Sequence, residues 1–206
     1  MKTTASKLLL TGCVSIVALA VTLIICICFY KSTDIGENTK VSYVEASFSI
    51  DYSNLREVVG SADYVFVGKV VSTGETENDE VLPLPVTEYS VRVEENIKGE
   101  LITNEDITVF KDGGISDISG NLILFEGDEM PQVGSRYVFY AYAQPDSTLL
   151  LSGPVSNVLI DSPNAKTANM NTDYSDNDEY LNALDAYKNE IIDDNERLTC
   201  KYDVNA

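Results

Sequence analysis

Apolar and polar residues alternate without a break through EYSVRVE, residues 88–94. Tyr89, Val91 and Val93 lie on one face, Ile97 resumes that face, and the residues between them are polar. Strict alternation over this length is typical of a strand with one buried and one exposed face. Other short stretches have the same strand-like composition: residues 64–71, 106–111, 122–126, 136–143, 148–152 and 155–160. Short strands at regular spacing, with turn residues between them, predict a β-barrel or β-sandwich over residues 47–160.

Two helices flank these strands in the sequence. Ser53 is a suitable N-cap for a short helix over residues 53–59, which Gly60 would end. Near the C-terminus, Leu181, Leu184 and Tyr187 recur at helical spacing, which predicts a helix over residues 179–198. The polar residues that precede it, from 161 onward, are typical of a linker, so residues 161–206 form an acidic linker and a C-terminal helix.

The N-terminal region has a different pattern. Residues 8–30, from Leu8 to Tyr30, contain no charged residue, and no face of this stretch is polar. As a helix it would be roughly 34 Å long, enough to cross a hydrocarbon core of about 30 Å. We predict an uncleaved transmembrane anchor, with residues 1–7 in the cytoplasm and residues 31–46 as an outer linker. The alternative is a lipoprotein signal ending at Cys13, but there the long apolar run follows the Cys instead of preceding it.

Charge sets the orientation and limits the partners. Lys2 and Lys7 precede the apolar stretch, whereas all 33 acidic residues follow it, so the positive-inside rule places the remainder outside the cell membrane. The net charge of −19 disfavours nucleic acid as a partner. Cys200 is the only cysteine beyond the anchor and cannot form an internal disulfide, so it is a free thiol or an intermolecular bridge.

Several segments resemble a known family. ADYVFVGKV (62–70), the YSVRV strand leading to Ile97-Lys98-Gly99, and Gly134 followed by YVFYA (137–141) resemble bacterial domains similar to the tissue inhibitors of metalloproteinases. That resemblance implies the netrin-like variant of the OB-fold, a five-stranded barrel with added helices. The overall expectation is therefore mainly β: an OB-like five-stranded barrel with a short N-terminal helix and a C-terminal helix, behind one transmembrane helix.

The mechanism of that family does not carry over. Its inhibitors act through a cysteine at the mature N-terminus, and no cysteine lies between Cys28 and Cys200. The chain also contains no histidine, which removes the usual general base and the commonest metal ligand. Asp173, Ser175 and Asn177 match alternate positions of a calcium loop, but position six is Asp178 instead of glycine. We therefore predict no catalytic, cofactor or metal site.

The expected function is a membrane-anchored extracytoplasmic binding module that recognises a surface protein or a cell-wall component. Tyr140 and Tyr142 are the candidate binding surface, because tyrosines on an OB-type strand can stack on sugars or peptides. Packing of these tyrosines under a loop or the C-terminal helix is the alternative. Two other functions stay open: an inhibitor or modulator of an extracytoplasmic protease, and a structural protein that self-associates through the C-terminal helix or a Cys200 disulfide.

The predicted topology can be tested on intact cells. A protease added outside is expected to remove the domain and leave the segment ending at Tyr30 in the membrane, because only the domain is accessible. Immunoblots against each end of the chain measure this. Survival of the domain until lysis, or a mature N-terminus at a lipid-modified Cys13, would contradict the prediction.

Overall fold

The computed structural model describes residues 39–78, 84–161 and 173–206. The predicted anchor lies outside these residues, and within them no helix is long and apolar enough to cross a membrane. The described part is mainly β with two helices. Its elements are β1 (Val41–Val44), α1 (Leu55–Ser61), β2 (Tyr64–Glu77), β3 (Val86–Lys98), β4 (Asp106–Asp112), β5 (Gly114–Ile115), β6 (Leu122–Phe125), β7 (Arg136–Ala143), β8 (Leu149–Leu151), β9 (Asn157–Asp161) and α2 (Asp178–Lys188).

Five strands close into a barrel in the order β2-β3-β4-β8-β7, with β7 pairing back onto β2. The β4–β8 pair is parallel and the other four contacts are antiparallel. This arrangement fits an OB-like barrel, as predicted. β9 extends the sheet beyond β7.

The barrel interior is filled from alternate positions of its strands. Tyr89, Val91 and Val93 of β3 are at most 3% exposed, whereas Glu88 and Arg92 on the opposite face are exposed. The predicted faces of this strand are therefore confirmed. β7 contributes Tyr137, Phe139 and Ala141 to the same interior cluster, with the rings of Tyr137 and Phe139 5.5 Å apart.

A second apolar cluster lies between the outside of the barrel and the two helices. Val65 and Val67 of β2 and Val138 of β7 face outward and pack with Val58 of α1 and Ala183 of α2. This outer layer explains why residues 64–71 are apolar on both faces, because a strand covered on both sides needs no polar face.

The helix boundaries differ from the predicted ones. α1 begins after Asn54, whose side chain accepts a hydrogen bond from the Arg56 N–H, so Asn54 is the N-cap instead of Ser53. α2 ends at Lys188, ten residues before the predicted end at Leu198. The residues that follow, 190–196, include four carboxylates, which are unfavourable at the negative end of a helix dipole.

Two segments predicted to lie outside the barrel domain contact it. Val41–Val44, inside the predicted linker, forms β1 and pairs in parallel with β6, in a small sheet that also contains β5. β6 therefore belongs to this sheet and not to the barrel. The C-terminal tail also packs on the domain: Leu101 bridges Asp203, and the Val204 N–H donates to the Glu100 carbonyl at 2.9 Å.

Of the two alternatives for Cys200, the structure favours the free thiol over the intermolecular bridge. Cys200 is 0% exposed and belongs to the barrel-interior cluster, and its N–H donates to the Tyr64 hydroxyl at 3.1 Å. Burial raises the pKa of its thiol, which disfavours the reactive thiolate. A second molecule could reach the sulfur only if the tail unfolded from the barrel, so Cys200 is a buried free thiol.

Candidate binding cleft

A cleft of about 350 Å³ opens where the ends of β7 and β8 meet the C-terminal chain. Tyr142 of β7 and Leu150 of β8 line one side. The second side consists of residues 48–50 and Tyr52, which precede α1, and the third consists of Asp193 and residues 195–198, which follow α2. We call residues 189–198 the strap, because they cross from the end of α2 over α1.

Two tyrosines, Tyr52 and Tyr142, line this cleft. The Tyr142 hydroxyl lies 3.1 Å from the Ser61 hydroxyl, which in turn donates to the Val58 carbonyl at 3.0 Å. The Tyr52 hydroxyl lies over Gly153, where a Cβ atom would approach it to 2.3 Å, so only glycine leaves room for this ring. Burial raises the pKa of both tyrosines, and both therefore stay neutral hydrogen-bonding groups at physiological pH.

The structure separates the two tyrosines predicted to share a binding surface. Both lie on the outer face of β7, but Tyr140 is only 2% exposed because it packs in the cluster under the helices with Ala183 and Ala186. Tyr140 is therefore not part of an open surface. Tyr142, two residues further along, lies beyond this cover, is half-buried and lines the cleft.

Carboxylates predominate among the charged groups of the cleft. Asp63, Asp193 and Glu196 line it together with one guanidinium, that of Arg197. Asp63 accepts a hydrogen bond from the Ala143 N–H at 2.9 Å and lies 3.7 Å from Arg197. Burial raises the pKa of Asp63, although that N–H and Arg197 act in the opposite direction. The cleft has a net negative charge when its carboxyl groups are ionised.

Arg197 fixes the strap to the end of α1. Its guanidinium donates to the carbonyl groups of Gly60 and Ser61 at the end of α1 and lies 3.2 Å from Asp193. Lys98 reaches the same helix end and donates to the Val59 carbonyl and to Glu190, each at 2.7 Å. Two cations thus satisfy the last carbonyls of α1 and favourably oppose its dipole.

The strap also approaches the backbone of α1 directly. The Ile191 N–H donates to the Arg56 carbonyl at 3.0 Å, and the Arg56 side chain donates to the Asn189 carbonyl. A Cβ atom on Gly60 would lie 1.9 Å from the Ile191 carbonyl oxygen. Gly60, which was predicted to end the helix, is instead its penultimate residue and allows this close contact.

Tyr142 could be identified from the sequence, but the other residues that line the cleft could not. The strap was assigned to a helix, and Tyr52 was assigned no role. The clustered carboxylates after Lys188 were the available signal that the helix ends there. No local signal brings residues 48–52 and 193–198 together, because their contact depends on barrel closure.

The described residues contain no group of three or more His, Cys, Asp or Glu side chains that could hold a metal ion. No protein-family model matches the chain, and no curated protein matches it.

Gly60→Ala tests the strap contact. In an ordinary helix interior this change stabilises by roughly 0.5–1 kcal/mol. Here we expect the free energy of unfolding to fall by about 1–3 kcal/mol, because the new methyl group collides with the Ile191 carbonyl. Urea denaturation of the two proteins measures the difference.

Asn182→Ala is the matched control, since Asn182 is an exposed residue of α2. It should show the small gain that follows from helix propensity. A comparable gain for Gly60→Ala would contradict the close contact between the strap and α1.

Proposed function

We propose that this chain is a membrane-anchored extracytoplasmic binding module without catalytic activity, and that its ligand binds in the cleft around Tyr52 and Tyr142. The anchor and its orientation are the sequence-based part of this proposal. The resemblance to netrin-like OB-folds supports a binding role, because OB-like barrels commonly hold ligands on one face and its adjoining loops.

The charge of the cleft indicates which kind of ligand it binds. Three carboxylates line the cleft, those of Asp63, Asp193 and Glu196, against one guanidinium. The N–H groups of that guanidinium already donate to the α1 carbonyls. The chain as a whole has a net charge of −19. A cationic group therefore fits best, such as a lysine-rich segment of a surface protein or an amine-bearing wall component, because long-range attraction and local pairing act in the same direction.

The tyrosines give this ligand a second type of contact. Phe48 packs edge-on against Tyr52 with ring centroids 4.7 Å apart, and both residues line the cleft. An alkyl chain that ends in an ammonium can lie along these rings while its charge reaches the carboxylates. The cleft thus supports recognition of a lysine side chain better than that of a compact inorganic cation.

The two alternative functions have less support. Self-association through a Cys200 disulfide loses its basis because the thiol is buried. Protease inhibition would require a loop contact, since the cysteine wedge of the resembled family is absent from the sequence.

Binding can be measured by calorimetry with the full chain in detergent and a short oligolysine peptide as the probe. We expect Tyr142→Phe and Glu196→Gln each to weaken binding about three- to tenfold, or about 0.7–1.4 kcal/mol, because each removes one cleft contact. Oligoglutamate should not bind.

Asp194→Asn is the control for general charge, because Asp194 is an exposed neighbour of Glu196 that does not line the cleft. It should change the affinity by less than Glu196→Gln. Equal effects of the two variants, or equal binding of oligolysine and oligoglutamate, would contradict a specific cationic ligand in this cleft. Inhibition of a surface protease by the chain would favour the inhibitor alternative.

A further inference from the structure

The described part of the chain contains one fully buried pair of opposite charges. The side chain of Lys111 is 0% exposed, that of Asp128 is 1% exposed, and the Lys111 Nζ directly contacts the Asp128 Oδ2. Lysine and aspartate are almost never fully buried, because removing an ion from water costs several kcal/mol that pairing only partly returns. The binding cleft makes no use of this pair, which needs a separate explanation.

Strand geometry places Lys111 in the barrel interior. Along β4 the buried positions are Ile107, Val109 and Lys111, so the lysine continues an otherwise apolar face. It lies between Thr87 of β3 and Leu151 of β8, its neighbours in the sheet. The ammonium group therefore has little freedom to turn away from the carboxyl group.

Hydrogen bonds in the turn after β6 fix the position of Asp128, the partner of Lys111. Its N–H donates to the Phe125 carbonyl at 3.1 Å, which fixes the turn after β6. Its Oδ1 accepts a hydrogen bond from the Glu129 N–H at 2.8 Å, which leaves Oδ2 directed at the lysine. The folded backbone thus holds the amine of Lys111 and the carboxyl group of Asp128 in contact, which is the proximity that a reaction between them requires.

The surroundings favour the reactive forms of both groups. Burial lowers the pKa of Lys111 and raises the pKa of Asp128, although each partner acts in the opposite direction on the other. Burial therefore shifts the pair toward a neutral amine and a neutral carboxylic acid. A neutral amine is a nucleophile and a neutral carboxylic acid is an electrophile, whereas their ionised forms are neither.

We propose that Lys111 and Asp128 join in an intramolecular amide bond between Nζ and Cγ. The nitrogen lone pair attacks the carboxyl carbon, the C–N bond forms, and the C–OH bond breaks. The hydroxyl group leaves with a proton from the nitrogen as one molecule of water. The reaction needs no oxidant, reductant or co-reactant, and burial keeps solvent water from hydrolysing the product.

The bond would fix the turn after β6 to the barrel wall. Lys111 and Asp128 are 17 residues apart, and β5 and β6 lie between them. Cys200 is the one cysteine in the described residues, so a disulfide cannot perform this role there.

Intact mass spectrometry of the purified full chain under denaturing conditions tests the proposal. The expected mass is lower than the sequence requires by one molecule of water, and proteolytic mapping should give a branched peptide that contains both residues. A full-mass chain with separate, unmodified Lys111 and Asp128 peptides would overturn the proposal, whatever any variant does.

Variants at the two positions distinguish the reaction from other losses of water. Asp128→Ala and Lys111→Arg should have the full mass of their sequences, whereas Asp128→Asn should lose ammonia in place of water. Loss of water that persists in Asp128→Ala would place the modification elsewhere and contradict the proposed bond.

Discussion

The double pairing of β2 is the constraint on which the rest of the structure depends. β2 pairs with β3 along most of its length and with β7 from Tyr64 to Lys69, and the second pairing closes the barrel. Gly68 lies within both pairings, where a Cβ atom would come within 2.5 Å of Val91. Closure also brings Asp63 to Ala143, so the same pairing that seals the core forms the floor of the cleft.

The few cations of this acidic chain hold its parts together. Lys98, Arg136 and Arg197 all form ion pairs with carboxylates, and their side chains are between 13% and 32% exposed. Lys98 and Arg197 fix the strap to α1, whereas Lys111 contacts Asp128 in the turn after β6. Because these cations serve internal contacts, the field outside the protein is dominated by carboxylates, which is the electrostatic basis of a cationic ligand.

Alternation and apolar runs were enough to predict a mainly β domain, the faces of β3 and the outward direction of Tyr140 and Tyr142, whereas the choice of a barrel over a sandwich rested on the family resemblance. They could not predict which outward tyrosine a helix would cover, because that depends on where α2 ends and docks. The burial of Cys200 and the roles of Tyr52 and Gly60 likewise depend on contacts between distant parts of the chain. The burial of Lys111 could have been predicted from the sequence, because its spacing from Ile107 and Val109 places it on the buried face of β4.

The central claim is that a cationic ligand binds in the cleft formed by β7, β8 and the strap. Amide NMR spectra of the isotopically labelled chain, recorded during titration with oligolysine, locate the bound peptide most directly. We expect shifts concentrated at residues 48–52, 142–144 and 193–198, with smaller changes elsewhere. Shifts spread evenly over exposed carboxylates, or concentrated on a surface away from Tyr142, would contradict it.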